Sequence, residues 1–241
     1  MEQSLKGQRA LIMGGTSGMG LASARLLVEL GADVVVTGRD QAKLETALQH
    51  LGPGAKGEQL NAASYEDLKS FYERQGSFDH LVIAVSGAKG GGNFRELSLD
   101  ELRKGFDAKF WPQVMSAQLS LNTLSDNGSI TFLTSISARS YAPGNAGLTA
   151  INAALESMVP ILAQELAPVR VNAISPGVVD TPWWNWLPED QKNAAHDFYK
   201  ENSPVNRIGQ PEDIAKAVRY LIDNTFVTGT VLEVDGGLRL R

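Results

Sequence analysis

Glycines at positions 14, 18 and 20 lie between an apolar run, residues 10–13, and a run with helical periodicity, residues 21–31. Glycine at such positions allows a tight turn, a close approach of backbone N–H groups to a pyrophosphate, and close packing of helix on strand. The helix N-terminus adds the positive end of its dipole. The pattern predicts a phosphate-binding loop, the alternative being a plain glycine turn; its predicted contacts are Gly14, Thr16, Ser17, Gly18, Met19 and Gly20.

A second apolar run ends in Thr37-Gly38-Arg39. Sites for NAD usually place a carboxylate here to bind the ribose 2′-hydroxyl. Gly38 has no side chain, and the guanidinium of Arg39 matches a 2′-phosphate. The pattern therefore favours NADP(H). The alternatives are that Arg39 is an ordinary surface residue, or that the neighbouring Asp40 neutralises it.

Strand-like and helix-like runs alternate along the whole chain. This alternation predicts βαβ units and an α/β fold with a Rossmann-type doubly wound parallel sheet and helices on both faces. No internal repeat or linker interrupts it, so we expect a single domain over residues 1–241. The predicted strands are residues 10–13, 33–39, 56–61, 80–87, 129–135, 169–177 and part of 229–237; the predicted helices are 21–31, 41–52, 64–76, a long helix from Ser98, 146–158 and 211–222.

The overall composition excludes several classes of protein. With 241 residues, 43% of them hydrophobic, the chain can bury a sizeable core. A net charge of −5 and scattered basic residues provide no surface for nucleic acid. There is no cysteine, and the three histidines are far apart, so no metal site is expected. The start lacks the apolar core of a signal peptide and no apolar run reaches membrane-spanning length, which predicts a cytoplasmic protein that does not bind membranes.

Several motifs together resemble the short-chain dehydrogenase/reductase family over nearly the whole chain. Gly14-x3-Gly18-x-Gly20 is similar to its phosphate loop, with Met13 where Thr is usual, and residues 207–213 and 234–237 match its C-terminal landmarks. Pro176-Gly177-x3-Thr181 resembles the segment that holds the nicotinamide carboxamide. The resemblance implies further cofactor contacts at Asn61, Ala62, Ser86, Gly87, Ser135, Pro176, Gly177, Val179 and Thr181.

The residues that carry proton chemistry in this family are altered. The family uses Tyr as acid and base, Lys four residues later, Ser to orient the carbonyl, and a helical Asn. Alignment on residues 148–156 places Leu148 at the Tyr position and Asn152 at the Lys position. Ser135 keeps the Ser position, and Lys109 stands where the Asn is usual. Leu148 can neither donate nor accept a proton, so it shapes a pocket and does no acid–base work.

Lys109 and Asn152 are thus exchanged relative to the family pattern. If both reach one pocket, the Lys109 ammonium is available for an oxyanion or a ribose hydroxyl; the alternative is a solvated helix charge. Pro112 in the same predicted helix has no N–H for the carbonyl of Ala108 and should kink the helix. The kink either frees a carbonyl for water or is only a feature of packing.

Other proton donors and the substrate pocket are sought in the neighbouring loops. Tyr141 is a candidate acid, with a packing role as its alternative; His196 is a weaker candidate, since a lone His in a charged helix is usually solvated. Three indoles follow the nicotinamide segment and could line an apolar slot, or pack the lid on its own core or on a partner. The predicted substrate pocket consists of Leu148, Trp183, Trp184 and Trp186.

Two classes of function follow. The first is an atypical NADP(H)-dependent oxidoreductase that reduces quinone-like or conjugated carbonyl acceptors, whose reduced anions are stable without a dedicated acid. The second is a catalytically inactive NADP(H)-binding sensor or scaffold. An ordinary ketone or alcohol dehydrogenase is a third interpretation and requires Tyr141 to replace the phenol. The resemblance also implies a homo-oligomer, a dimer or tetramer.

Overall fold

The computed structural model describes residues 4–139 and 141–240. They form one seven-stranded sheet with parallel pairing throughout and the order β3-β2-β1-β4-β5-β6-β7. This confirms the predicted α/β doubly wound architecture. The strands are β1 Arg9–Met13, β2 Asp33–Gly38, β3 Ala55–Gln59, β4 Phe78–Ile83, β5 Leu124–Leu133, β6 Arg170–Pro176 and β7 Val231–Val234.

Helices cover both faces of the sheet. The helices are α1 Gly18–Glu29, α2 Gln41–Leu51, α3 Tyr65–Gln75, α4 Leu99–Ala108, α5 Phe110–Ser120, α6 Ala146–Glu165, α7 Glu189–Asn202 and α8 Pro211–Asp223, with short 3-10 turns at Gly52–Gly54, Ile136–Arg139, Pro182–Trp186 and Leu238–Leu240. One hydrophobic cluster packs α3, α5 and α6 on the sheet, and a second packs α1, α2 and α8 on the opposite face. Alternate residues of β1 enter the two clusters, as the period of a strand buried on both faces requires.

The strand order reverses between β1 and β4. Strands β2 and β3 lie on one side of β1, and β4 to β7 extend on the other. In open α/β sheets, the crevice outside the carboxyl ends of the strands at this switch point is where ligands bind. The loops that follow Met13 and Ile83 therefore border the expected cofactor site.

The long helix predicted from Ser98 is broken in two. Ser98 caps α4 by accepting a hydrogen bond from the N–H of Glu101, and α4 ends at Ala108. Lys109 has φ −133° and ψ −57°, outside helical geometry, and α5 begins directly after it. Pro112 has no N–H to offer the carbonyl of Ala108. The predicted kink is thus confirmed as a break that sets Lys109 apart from both helices.

Helix α6 corrects one expectation from the sequence. By length and composition alone, Ala146–Glu165 is apolar enough to cross a membrane, although we expected no run of that length. Its inner face carries Ile151, Leu155 and Val159 into the core, and its Glu156 is buried and hydrogen-bonded to Thr134. These contacts identify α6 as a helix that packs on the sheet as part of the hydrophobic core.

His80 on β4 is the buried histidine of the sheet. Its Nε2 lies 2.6 Å from Oε1 of Gln8 and its Nδ1 lies 2.8 Å from Oγ of Ser129. A neutral ring satisfies both contacts by donating from Nε2 and accepting at Nδ1. Burial lowers the pKa of His80 from its ordinary value of 6.5 to about 4.

We expect acid to destabilise the fold through His80. Below pH 6.5 the unfolded state binds a proton at His80, whereas the folded state does not until the pH nears 4. The contribution of neutral His80 to the free energy of unfolding is therefore complete above pH 6.5 and is lost as the pH falls towards 4. The loss is about 3 kcal/mol. Urea unfolding between pH 7 and 4 measures it. His80→Gln should flatten this pH dependence, whereas His50→Gln at an exposed position should not; equal slopes in both variants would contradict this assignment.

Candidate active site

The phosphate loop follows β1 at the carboxyl edge of the sheet. Gly14 has a φ of 83°, and its amide donates to the carbonyl of Thr37 over 3.1 Å. A Cβ added at Gly20 would lie 2.2 Å from the carbonyl oxygen of Gly14. The start of α1 therefore packs directly against the loop at Gly14, and the contacts of the loop with a cofactor stay predictions.

The N-terminus of α1 differs from those of the three helices that follow. Ser17 at its N-cap makes no side-chain capping bond, and its first turn contains no acidic residue. In α2, α3 and α4, the side chains of Asp40, Ser64 and Ser98 each accept a hydrogen bond from a first-turn N–H. Uncapped N–H groups at a helix N-terminus are an anion site. The loop and α1 thus fit a pyrophosphate.

The end of β2 explains why no carboxylate stands there. A Cβ on Gly38 would lie 2.4 Å from Cγ2 of Thr16, so the phosphate loop itself occupies the space. Arg39 is exposed. Asp40 accepts the N–H of Lys43 over 3.1 Å and so caps α2. Among residues 4–139 and 141–240 no ion pair involves Arg39, which leaves its guanidinium available for a ligand.

The remaining predicted cofactor residues follow the ends of their strands. Asn61 is exposed, and its Oδ1 accepts the N–H of Ala63; Ala62 is buried in the core, so only its backbone can meet a ligand. Gly18 approaches Thr181, with 3.2 Å between an added Cβ and the Thr181 Cβ. The residues at the ends of β4, β5 and β6 are Ser86, Gly87, Ser135, Pro176, Gly177 and Val179.

Ser135 and Asn152 lie on neighbouring parts of the site. The Oγ of half-buried Ser135 accepts the N–H of Ser137 over 3.2 Å. Asn152 is buried, and its Nδ2 donates to Oγ of Ser137 over 3.0 Å and to the carbonyl of Leu148 over 2.9 Å. Its Oδ1 is buried without a partner among the described residues. A buried acceptor with no partner is costly and marks a place for a ligand hydroxyl or water.

Lys109 is buried, so the solvated-charge alternative is wrong. The break between α4 and α5 turns its side chain inward, and Nζ donates to the carbonyl of Thr134 over 3.0 Å. Burial lowers the pKa of Lys109 from its ordinary value of 10.5 to about 8, and the charge of Glu156 opposes this shift. No second hydrogen bond to Nζ occurs within the described part of the chain. The ammonium therefore retains N–H donors next to the peptide that leads into Ser135.

Leu148 lies in the first turn of α6. Its Cδ1 lies 3.4 Å from a Cβ built on Gly91, and the loop between β4 and α4 packs over the start of the helix. A Cβ on Gly147 would lie 2.2 Å from the carbonyl of Gly90. The start of α6 therefore packs at Gly147 against a glycine loop that the sequence analysis left unassigned, and Leu148 lies beside the same loop.

The indoles form a connected aromatic lid. Trp184 packs edge-on against Trp183 with ring centroids 5.0 Å apart, and Trp183 packs against Trp186 at 6.1 Å. The Nε1 of Trp183 lies 3.4 Å from the carbonyl oxygen of Gly87 in the loop after β4. His196 packs edge-on against Trp184, and its Nε2 is buried without a partner among the described residues, so His196 is not the solvated side chain that we expected.

Tyr141 does not join the site. Its side chain is 100% exposed, whereas Ser135, Lys109 and Asn152 are half-buried or buried. Neither the candidate-acid interpretation nor its packing alternative fits this exposure. The third functional interpretation, which depended on Tyr141, loses its proton donor.

Comparison with known proteins agrees with this geometry. Residues 14–239 match the family model described as enoyl-(acyl carrier protein) reductase. The 3-oxoacyl-acyl-carrier-protein reductase FabG of Aquifex aeolicus is 31% identical over 99% of this chain and 100% of its own length. This chain belongs to the short-chain dehydrogenase/reductase family. A small-chain dehydrogenase solved in complex with NADPH is 32% identical, with a TM-score of 0.85 over 97% of this chain and 99% of its own.

A further relative in the short-chain dehydrogenase/reductase family has a solved structure. The MalC reductase/Diels-Alderase of Malbranchea aurantiaca has a TM-score of 0.91 and is 27% identical, over 99% of both chains. The expected fold and the expected family are thus both confirmed, and the chain belongs to a family of oxidoreductases.

The sequence analysis missed several polar residues near the site, among them Thr134, Arg139 and Glu156. Thr134 Oγ donates to Oε1 of Glu156 over 2.7 Å, and Arg139 pairs with the other oxygen of that carboxylate at 2.5 Å. One signal was available, because Glu156 is an isolated carboxylate inside an apolar helix. A charge on the buried face of a helix indicates a partner, yet the sequence does not identify the partner.

Proposed function

We propose that this protein is an NADP(H)-dependent oxidoreductase with an atypical active site, which reduces quinone-like or conjugated carbonyl acceptors by hydride transfer. The observation that carries the proposal is the buried ammonium of Lys109, which keeps unused N–H donors beside Ser135. A charged donor in a site that excludes water stabilises developing negative charge far more than it would in water.

The choice of NADP(H) is supported by the end of β2. Arg39 is exposed, its neighbour Asp40 is used as a helix cap, and Gly38 leaves no room for the carboxylate that binds a 2′-hydroxyl. The relative solved with NADPH supports the same cofactor. Asn152 Oδ1, the buried acceptor without a partner, is suited to a ribose hydroxyl at the position where the family has a lysine.

The division of labour in the reaction follows from the residue types. Bound NADPH supplies the hydride. Lys109 stabilises the negative charge that develops on the acceptor oxygen, and the Ser135 hydroxyl orients that oxygen. Leu148 provides an apolar wall in place of the family's phenol, so the site has no acid at this position. The lack of an acid costs about two to four orders of magnitude for a simple ketone, and much less for an acceptor whose reduced anion is stable.

The aromatic lid supports a flat acceptor. Trp183 and Trp186 are exposed at 38% and 60%, which leaves indole faces for stacking, while Trp183 contacts Gly87 in the loop after β4. Aromatic side chains favour planar, apolar ligands. The substrate pocket proposed here consists of Leu148, Trp183, Trp184 and Trp186.

Oxidation of NADPH measured without oxygen tests the proposal. Quinones, conjugated dicarbonyls, aldehydes and simple ketones are supplied in turn, and NADPH binding is measured in the same sample. We expect turnover with quinones and conjugated dicarbonyls, and turnover of simple ketones at least about 100-fold slower. Turnover of simple ketones at equal rates would show a proton donor and contradict the atypical mechanism.

The second candidate function is an inactive NADP(H)-binding sensor or scaffold. Leu148 and Asn152 at the family's Tyr and Lys positions favour it, since the residues that carry the family's proton chemistry are replaced while the phosphate loop is kept. Firm NADPH binding with no oxidation by any acceptor would support this candidate and reject the oxidoreductase.

Cofactor preference gives a separate prediction. Arg39→Ala should weaken NADPH binding about 10- to 100-fold, because a charge-assisted hydrogen bond to the 2′-phosphate is lost. NADH binding should change little. Fluorescence titration with both nucleotides measures this, and Lys43→Ala, in the first turn of α2, is the matched control. An equal loss of affinity for NADPH and NADH would mean that Arg39 does not bind the 2′-phosphate.

A homo-oligomer is proposed from exposed apolar side chains on two faces. Trp111 and Ile161 project from α5 and α6, while Tyr220 and Phe226 are exposed at the end of α8. Apolar groups clustered on a face indicate an interface. Light scattering should give two or four times the chain mass of 25.9 kDa; a mass of one chain would reject the proposal.

A further inference from the structure

A row of alternating charges leads away from Lys109. The carbonyl of Thr134 accepts from Nζ of Lys109, and the hydroxyl of Thr134 donates over 2.7 Å to Oε1 of Glu156. Thr134, which directly follows β5, therefore contacts the ammonium with its backbone and the carboxylate with its side chain. Glu156 is 6% exposed at its side chain, so this carboxylate acts on Lys109 with little screening by solvent.

The same carboxylate is shared with a second cation. Arg139 Nη1 lies 2.5 Å from Oε2 of Glu156, and its Nε lies 3.3 Å from Glu233 on β7. Glu233 in turn pairs with Arg239 at 2.7 Å, and Arg239 pairs with Asp235 at 2.8 Å. The carboxylate of Glu156 therefore interacts with two cations, Lys109 inside the site and Arg139 on the outer side of the site.

We propose that Glu156, connected through Thr134, is the counter-ion that keeps Lys109 as a charged ammonium, and that Arg139 limits this effect by competing for the same carboxylate. Glu156 and Arg139 are positioning residues, because they act through Lys109. The role assigned to Lys109 rests on the proposed function, but the charge state of Lys109 does not.

The charges around Lys109 come from few elements. Glu156 on α6 is the charged side chain that acts on the ammonium, against the effect of burial. Arg139 from the turn after β5 and Glu233 from β7 face Glu156 from its outer side. Asp107 on α4, two residues before Lys109, is exposed. Removal of the Glu156 charge and removal of the Arg139 charge should therefore shift the pKa of Lys109 in opposite directions.

The titration of Lys109 can be followed directly by NMR of lysine labelled with 13C at the ε-carbon. The spectrum of Lys109→Met assigns the signal by its absence. In the wild type, the pKa of Lys109 is about 8. Glu156→Gln should lower this pKa by about one unit, and Arg139→Gln should raise it, because opposite and like charges act in opposite senses. Glu165→Gln, an exposed change of the same charge on α6, is the control and should cause no shift.

Several outcomes overturn the proposal. An unchanged pKa of Lys109 in both Glu156→Gln and Arg139→Gln would overturn it. Shifts of that pKa in the same direction would also overturn it, because they would indicate only a disturbed fold. Should Glu156→Gln not fold, Arg139→Gln alone decides by an upward shift or its absence. Glu156→Asp keeps the negative charge, so it should restore much of the pKa of Lys109 that is lost in Glu156→Gln. Opposite shifts of the Lys109 pKa in a protein that does not oxidise NADPH would support the counter-ion role of Glu156 and reject the proposed function.

Discussion

Lys109→Met should lower kcat for a quinone acceptor by about 100- to 1,000-fold, the usual effect of removing one donor that stabilises an oxyanion. The affinity for NADPH should change little, since the predicted phosphate loop follows β1 and Arg39 follows β2, whereas Lys109 lies between α4 and α5. Methionine retains much of the length of the lysine side chain and removes the charge, so the pocket stays filled. Steady-state kinetics without oxygen, with NADPH binding measured in parallel, test this expectation.

The same variant should be more stable than the wild type. The pKa of Lys109 is lowered from 10.5 to about 8 because the folded state disfavours the ammonium, so the cost is complete below pH 8 and is relieved as the pH rises towards 10.5. This cost is about 3 kcal/mol, and the lost hydrogen bond to Thr134 offsets part of it, which leaves a gain of about 1–2 kcal/mol at neutral pH.

Lys104→Met is the matched control for Lys109→Met. Lys104 is exposed on α4 and pairs with Glu101 at the surface, so its removal should alter neither the rate nor the stability appreciably. A variant at position 109 that is less stable and equally active would show that Lys109 is only structural.

Gly20→Ala should abolish measurable NADPH binding, with a loss of about 100-fold or more. The added Cβ would lie 2.2 Å from the carbonyl oxygen of Gly14, so the loop or the start of α1 must move. The N–H groups that face the predicted pyrophosphate would move with them. Fluorescence titration with NADPH and thermal unfolding separate lost binding from lost folding.

Gly91→Ala is the control for Gly20→Ala. Its Cβ would meet Cδ1 of Leu148 at 3.4 Å, an ordinary contact, and it lies outside the predicted cofactor loop. This variant should bind NADPH as the wild type does. Wild-type affinity in Gly20→Ala would contradict the phosphate-loop assignment, because the loop would then tolerate a displacement that the proposed contacts do not allow.

The fold was predictable where local chemistry determines it. Ser64 and Ser98 mark the starts of α3 and α4 as expected, and the alternation of strands and helices identified the parallel sheet. Element boundaries were harder to predict. Strand β5 begins at Leu124, five residues before the run at 129–135, because residues 125–128, Ser-Asp-Asn-Gly, have low strand propensity.

The site was only partly predictable, because its chemistry depends on distant contacts. The resemblance identified the positions of Lys109 and Asn152, but whether Lys109 turns inward depends on the break before α5 and on the carbonyl of Thr134. The pairing of Glu156 with Arg139 joins residues 17 positions apart, which no periodicity reveals. Tyr141 fits a functional loop by sequence and is nevertheless fully exposed.

The central claim, that this site transfers hydride without a dedicated proton donor, is tested most directly by isotope effects on quinone reduction. Turnover is compared for NADPH deuterated at the transferred position and for solvent exchanged to D2O. We expect slower turnover with deuterated NADPH and an almost unchanged rate in D2O. A strong slowing in D2O would reveal a proton transfer in the rate-limiting step, and no turnover at all would show a cofactor-binding protein; either result would contradict the claim.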